Sequence, residues 1–121
     1  MIRTRGLTHI HLIVRNMKRS RAFYCNAFGM QVSFNVGRKL IFLNTPGSND
    51  MIALHEDSRS TRVAGKSGGI LHFGFERVRT DLDTAIKEVA QAGGRLLERG
   101  EHAPGVPYAY VADPDGYVIE L

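Results

Sequence analysis

Apolar and polar positions along this chain fall into short runs of strand character, interrupted twice by stretches whose apolar residues recur at helical spacing. Leu7 to Val14 is rich in apolar and β-branched residues and predicts a strand. Asn16 suits an N-cap, and Ala22, Phe23, Tyr24, Ala27 and Phe28 form a broad apolar stripe, so a helix is predicted from Met17 to Phe28, ended by Gly29. Strands are predicted at Met30 to Val36, Leu40 to Asn44 and Met51 to Glu56, with turns at Gly37-Arg38 and Thr45 to Asn49. A polar, glycine-rich segment, Asp57 to Gly69, breaks the pattern and reads as a loop.

The same order then returns. Ile70 to Val78 predicts a strand, and Thr80 an N-cap. Leu82, Ala85, Ile86, Val89 and Ala90 supply the stripe of a second helix, which Gly93-Gly94 would end. Strands follow at Arg95 to Glu98, Pro107 to Ala112 and Tyr117 to Leu121. The last two are joined by Asp113-Pro114-Asp115-Gly116, whose proline and glycine suit a type I turn. The halves begin alike, Leu7-Thr8-His9-Ile10 against Ile70-Leu71-His72-Phe73, which points to an internal duplication. The expected fold class is therefore α+β: paired βαβββ modules forming a curved mixed sheet with the helices outside. One domain, 1–121, would hold module 1 at about 5–57, a linker at 58–68 and module 2 at about 69–121.

Composition changes this picture little. Lys and Arg number 16 against 12 Asp and Glu, a net charge of +4, but the basic residues lie in short scattered groups without interleaved aromatics. They read as solvated faces, and no nucleic-acid partner is expected. The single cysteine, Cys25, excludes an intrachain disulfide, and its apolar helical setting predicts a buried, inert thiol. No apolar run approaches the ~18 residues of a membrane span, and no signal-peptide core is visible. A cytoplasmic protein without a membrane partner is the expectation.

Candidate chemistry centres on Glu120. It alternates with Tyr117, Ile119 and Leu121 on an apolar strand, where a carboxylate is costly to bury unless something cationic meets it. His9 and His72 occupy the same place in the first strand of each module. Two imidazoles and a carboxylate would suit Fe(II) and are open to Mn(II) or Zn(II). The bland alternative is three separate residues with the histidines bonded to backbone, and spacing alone leaves both open. Two local signals fail. Gly65-Lys66-Ser67 lacks the earlier glycine and the helix of a phosphate loop. Asp113-x-Asp115-Gly116 lacks the remaining ligands of a calcium loop.

Several segments together resemble the vicinal oxygen chelate superfamily of glyoxalase I, bleomycin-resistance proteins, fosfomycin-resistance enzymes and extradiol dioxygenases. They are Leu7-Thr8-His9-Ile10-His11-Leu12-Ile13-Val14, Ser20-Arg21-Ala22-Phe23-Tyr24, Phe28-Gly29-Met30, Leu71-His72-Phe73-Gly74-Phe75, and Asp113 to Tyr117 with Ile119-Glu120-Leu121. The resemblance implies a homodimer that binds a small-molecule substrate at a divalent metal held by His9, His72 and Glu120. Glyoxalase I and methylmalonyl-CoA epimerase are similar to each other in using a fourth ligand. Its position here falls on Ala53, or on His55 after a two-residue shift of register.

Gly100-Glu101-His102, Ala109-Tyr110 and Asp113-Pro114-Asp115-Gly116 before Glu120 resemble the extradiol signature. That implies an Fe(II) ring-cleaving dioxygenase in which His102 and Tyr110 act on the substrate. His11 shares a strand face with His9, so it is expected to line the pocket, either as a proton-handling base or as a core histidine. A further extradiol histidine has no counterpart, and Asn49 or Asp50 falls near its place. The alternatives are fosfomycin-type opening of an epoxide, with Arg95, Arg99 and Tyr110 toward a phosphonate, and a metal-free binding protein of the bleomycin-resistance kind.

Overall fold

The computed structural model describes residues 1–61 and 69–121. Most of the linker expected at 58–68, including Gly65-Lys66-Ser67, lies outside the described residues. Module 1 runs β1 (Ile10–Val14), α1 (Met17–Phe28), β2 (Gln31–Val36), β3 (Leu40–Asn44) and β4 (Ile52–Glu56). Module 2 runs β5 (Phe73–Gly74), α2 (Leu82–Gln91), β6 (Arg95–Ala103), β7 (Val106–Ala112) and β8 (Val118–Glu120). The paired βαβββ modules are thus present. Hydrogen bonding keeps the two modules in separate open sheets, in the orders β1-β4-β3-β2 and β5-β8-β7-β6. Among the described residues no helix is long and apolar enough to cross a membrane.

Helix α1 has the predicted bounds for the predicted reasons. The Asn16 side chain accepts the Arg19 amide at 2.8 Å, and Gly29 takes the left-handed conformation at φ 66°. Helix α2 starts one residue later than expected. Its N-cap is Asp81, not Thr80, and the Asp81 carboxylate accepts from the amide and the hydroxyl of Thr84. A carboxylate caps better because its charge also meets the positive end of the helix dipole. The Thr84 hydrogen bonds hold the Asp81 pKa below its ordinary value.

Three strands differ from their expected lengths by three or more residues. Strand β1 starts at Ile10 and not at Leu7. Strand β5 has two residues, not nine, because its parallel neighbour β8 supplies a ladder only opposite Phe73 and Gly74. Strand β6 continues to Ala103, carried by two bulges in its pairing with β7. Its polar second half has no apolar alternation to announce it.

Both helices pack on the same side of the molecule, and the residues beneath them form one core. Leu12, Phe23, Tyr24, Leu43 and Leu54 of module 1 join Val89, Val111, Ile119 and Leu121 of module 2 in a single cluster. Cys25 is partly buried against this core and does not reach its interior. The opposite faces of both sheets are uncovered. In the first sheet this face carries His11, His55, Phe34 and Val36, all exposed.

The Asp113–Tyr117 turn locks the modules together. Asp113 is fully buried; one carboxylate oxygen accepts the amides of Asp115, Gly116 and Tyr117, and the other accepts the Tyr24 hydroxyl of α1. Asp115 accepts from the Arg15 amide, the Arg19 guanidinium and the Ser20 hydroxyl. These bonds use both carboxylates within the protein.

Candidate active site

Glu120 stands at the centre of the uncovered face of the second sheet. Strand register places it opposite Tyr110 on β7 and beside Gly74 on β5. Side chains alternate along β8, so Ile119 and Leu121 enter the core while Glu120 stays on the open face. Each carboxylate oxygen meets an imidazole. His72 Nε2 lies 3.0 Å from Oε2, and His102 Nε2 lies 2.7 Å from Oε1. The His72 ring also rests 4.9 Å from the Tyr110 ring.

His102 sits on β6 rather than in a loop, and three neighbours fix it there. Its ring stacks on Tyr108 at 4.2 Å, and the Tyr108 hydroxyl donates to Glu98 at 2.7 Å. Gly100 leaves the space that the Tyr108 ring fills, since a Cβ there would lie 3.0 Å from it. Sequence reasoning missed Tyr108 and Glu98 as parts of the site. The signal was present, because Glu98, His102, Tyr108 and Tyr110 fall on one sheet face once the hairpin register is known. A cleft of about 270 Å³ opens beside them, lined by Leu71, His72, Leu97, Glu98, Tyr110 and Val118. Desolvation, and then the charges of Glu120 and Glu98, push the Tyr110 phenol pKa up, so Tyr110 stays protonated and able to donate.

His11 belongs to β1 of the other sheet, and His9, expected in that strand, lies just before its first residue Ile10. His9 Nδ1 lies 3.0 Å from the Thr8 hydroxyl, and its ring meets the edge of Phe42 at 5.6 Å. His11 faces His55 with ring centroids 5.5 Å apart. The fold therefore brings His72, His102, Tyr110 and Glu120 together and leaves His9 and His11 apart from them. Among the described residues no three His, Cys, Asp or Glu side chains are arranged to hold a metal within one chain.

The parallel registers also locate the fourth-ligand position. His11 lies opposite Ala53 in module 1 as Gly74 lies opposite Glu120 in module 2. Ala53 thus occupies the place equivalent to Glu120 and offers no donor atom, while His55 lies two residues further along β4, opposite Ile13. Asp50 is engaged in its own turn, accepting from the amide and the hydroxyl of Thr45. Arg99 is held by Asp83 of α2 at 2.8 Å, so it is tied to the helix layer rather than to Glu120.

The family model for the glyoxalase/bleomycin resistance protein/dioxygenase superfamily matches residues 6–121. The chain belongs to this superfamily. It is 29% identical over 129 residues to the mitochondrial methylmalonyl-CoA epimerase of Homo sapiens, covering 95% of this chain and 72% of that one. It is 32% identical over 124 residues to the catechol-2,3-dioxygenase of Bacillus subtilis (strain 168), covering 94% of this chain. It spans only 41% of that dioxygenase. Among solved superfamily structures, the fosfomycin resistance protein FosX from Listeria monocytogenes superposes with a TM-score of 0.78 at 20% identity, covering 98% of this chain and 91% of that one. At that identity the likeness shows the shared fold. FosX has also been solved with Mn(II) bound, so divalent metal is present within the fold family.

Proposed function

We propose that this superfamily member is a divalent-metal-dependent enzyme acting on a small substrate that chelates through adjacent oxygens, and that its reaction is extradiol-type ring cleavage. One constellation carries the reading: the Glu120 carboxylate between the His72 and His102 imidazoles, with the Tyr110 phenol on the neighbouring strand. The metal ligands in this proposal are His9, His72 and Glu120. His72 and Glu120 fit, since an imidazole and a carboxylate converge on an accessible point and suit Fe(II), Mn(II) or Zn(II). His9 lies just before β1, in the module that does not hold Glu120, so His9 of a second copy completes the set, in a homodimer that brings the uncovered sheet faces together.

His72, Glu120 and His9 of the second copy would hold the ion, Fe(II) being favoured, which would supply Lewis-acid chemistry to the substrate oxygens. The chain's own residues do the rest. His102 Nε2, within 2.7 Å of Glu120, is placed to take and return a proton from a hydroxyl bound beside that carboxylate. Tyr110 donates a hydrogen bond from its protonated phenol toward the same oxygens. Leu71, Leu97 and Val118 wall the cleft with apolar surface suited to a ring. His11 reaches this space only through the pairing of copies that brings His9.

The likeness to the Bacillus subtilis dioxygenase supports this choice of reaction. The absence of a donor at Ala53 argues against four-ligand epimerase chemistry despite the likeness to the human enzyme. The fosfomycin-type alternative has less to rest on, because Arg99 is already paired with Asp83. The test is to load the protein anaerobically with Fe(II), add catechols and then oxygen, and follow the yellow ring-cleavage product. Product that falls sharply in His102→Ala and Tyr110→Phe is the expected result. Silence with every catechol, alongside consumption of an epoxide with Mn(II) and a thiol, would transfer the reading to the fosfomycin type. A protein that retains no metal, and binds small ligands equally well after His72→Ala, would be a binding protein.

A further inference from the structure

His11 and His55 stand on the neighbouring parallel strands β1 and β4 and share the uncovered face of the first sheet. Both are exposed, and their ring centroids are 5.5 Å apart with the rings tilted by 34°. Ala53, opposite His11 and two residues before His55, puts only a methyl group between them. Among the described residues neither ring has a hydrogen-bond or ion-pair partner. The contrast with His72 and His102 is plain, since both of those are tied to Glu120.

We propose that His11 and His55 form a second metal site, a two-imidazole chelate for a late divalent transition ion such as Zn(II), Ni(II) or Cu(II). The spacing fits. With metal–nitrogen bonds of about 2.0–2.1 Å, two imidazoles sharing one tetrahedral ion hold their centroids on the order of 5 Å apart. The donor type sets the class of ion, because imidazole suits zinc, copper and nickel, whereas magnesium, calcium and manganese favour oxygen. His9 is not a third ligand. Its ring is 6.4 Å from that of His11, and its Nδ1 already faces the Thr8 hydroxyl. The remaining coordination positions are therefore left to water or to ligand oxygens.

This site shares no ligand with the His9, His72 and Glu120 set, although the homodimer proposed above lays a second copy over the face that carries it. The experiment titrates metal-free protein with Zn(II) in competition with a chromophoric chelator, and with Cu(II) followed by electron paramagnetic resonance. The His72→Ala/Glu120→Gln protein is expected to keep one Zn(II) per chain and a Cu(II) signal with coupling to two nitrogens. Adding His11→Asn or His55→Asn should weaken that ion at least tenfold and remove the two-nitrogen pattern. Should either variant fail to fold, Zn(II) protection of the two rings against diethyl pyrocarbonate, mapped by mass spectrometry in the unsubstituted protein, reads the same contact. The proposal is overturned if zinc leaves both rings unprotected, or if His11→Asn and His55→Asn do not change Zn(II) binding. It is also overturned if all four substitutions abolish one and the same ion, which would make His55 part of the Glu120 centre.

Discussion

The hydroxyl of Tyr117 satisfies both backbone groups of Ile13, donating to its carbonyl at 2.8 Å and accepting from its amide at 3.1 Å. One side chain of module 2 thereby caps the outer edge of β1 in module 1. Asp115 continues the cap by accepting the Arg15 amide at 3.0 Å. An uncapped edge would leave these groups to water or to another chain. The last hairpin turn is thus a fastening between modules as well as a route to β8 and Glu120.

Removing the hydroxyl should loosen that fastening. Tyr117→Phe leaves both Ile13 groups without this partner in a partly buried position, at a cost of about 1–3 kcal/mol. Urea unfolding at neutral pH measures it, and an unchanged midpoint would show that the edge cap contributes nothing.

Asp113 gives a pH signature of unusual sign. Burial, the largest influence, raises its carboxyl pKa, although the Tyr24 hydroxyl and the turn amides oppose the rise. The folded state therefore holds this proton more tightly than the unfolded chain does. Above the raised pKa the buried charge is carried at a cost, and the cost is relieved as the pH falls toward the ordinary carboxylate value. Asp113→Asn has no such proton. The stability of the wild type relative to Asp113→Asn should rise as the pH falls through the mildly acidic range, as read from paired denaturation curves. A difference that falls or stays flat would contradict the raised pKa.

Gly94 follows the end of α2, yet its constraint is packing. A Cβ there would lie 2.7 Å from the Ala112 carbonyl, the Phe23 ring and a Val89 methyl. Gly94→Ala should cost at least about 1–3 kcal/mol by overpacking, seen as a lowered melting temperature. Gly93→Ala tests a different property, since no atom lies near its Cβ and only its φ of 99° resists substitution.

Glu120→Gln keeps the shape of the side chain and removes its charge. If Glu120 is a metal ligand, affinity should fall by more than the roughly 10–100-fold typical of changes to a ligand's supporting partner. Metal content after purification without chelators is the readout. The fold should survive, because Glu120 projects from the open face while Ile119 and Leu121 hold the strand.

Phe34, stacked on Phe42 at 4.4 Å and 46% exposed, sits on the face that the proposed homodimer covers. Phe34→Glu should convert a dimer to a monomer in sedimentation equilibrium and lower metal retention at the same time. Dimer loss with full metal retention would show that one chain holds the ion alone.

The sequence by itself determined the two βαβββ modules and the bounds of α1, because apolar period, caps and turn residues are local and the duplication set their order. Position along the chain offered His9, His72 and Glu120 as one group, and only the family resemblance added His11, His102 and Tyr110 to it. It did not determine the length of β5 or β6, since a strand lasts only as long as its neighbour supplies a ladder. It gave no sign that Asp113, Asp115 and Tyr117 fasten the modules, because Tyr24 and Ile13 lie 89 and 104 residues from their partners. Only the bulged pairing of β6 with β7 carries His102 across 18 residues to Glu120 and sets Tyr108 and Glu98 behind it. Only the pairing of strands into two separate sheets keeps His9, just before β1, away from that carboxylate. Local pattern chose the residues; non-local register decided which of them meet.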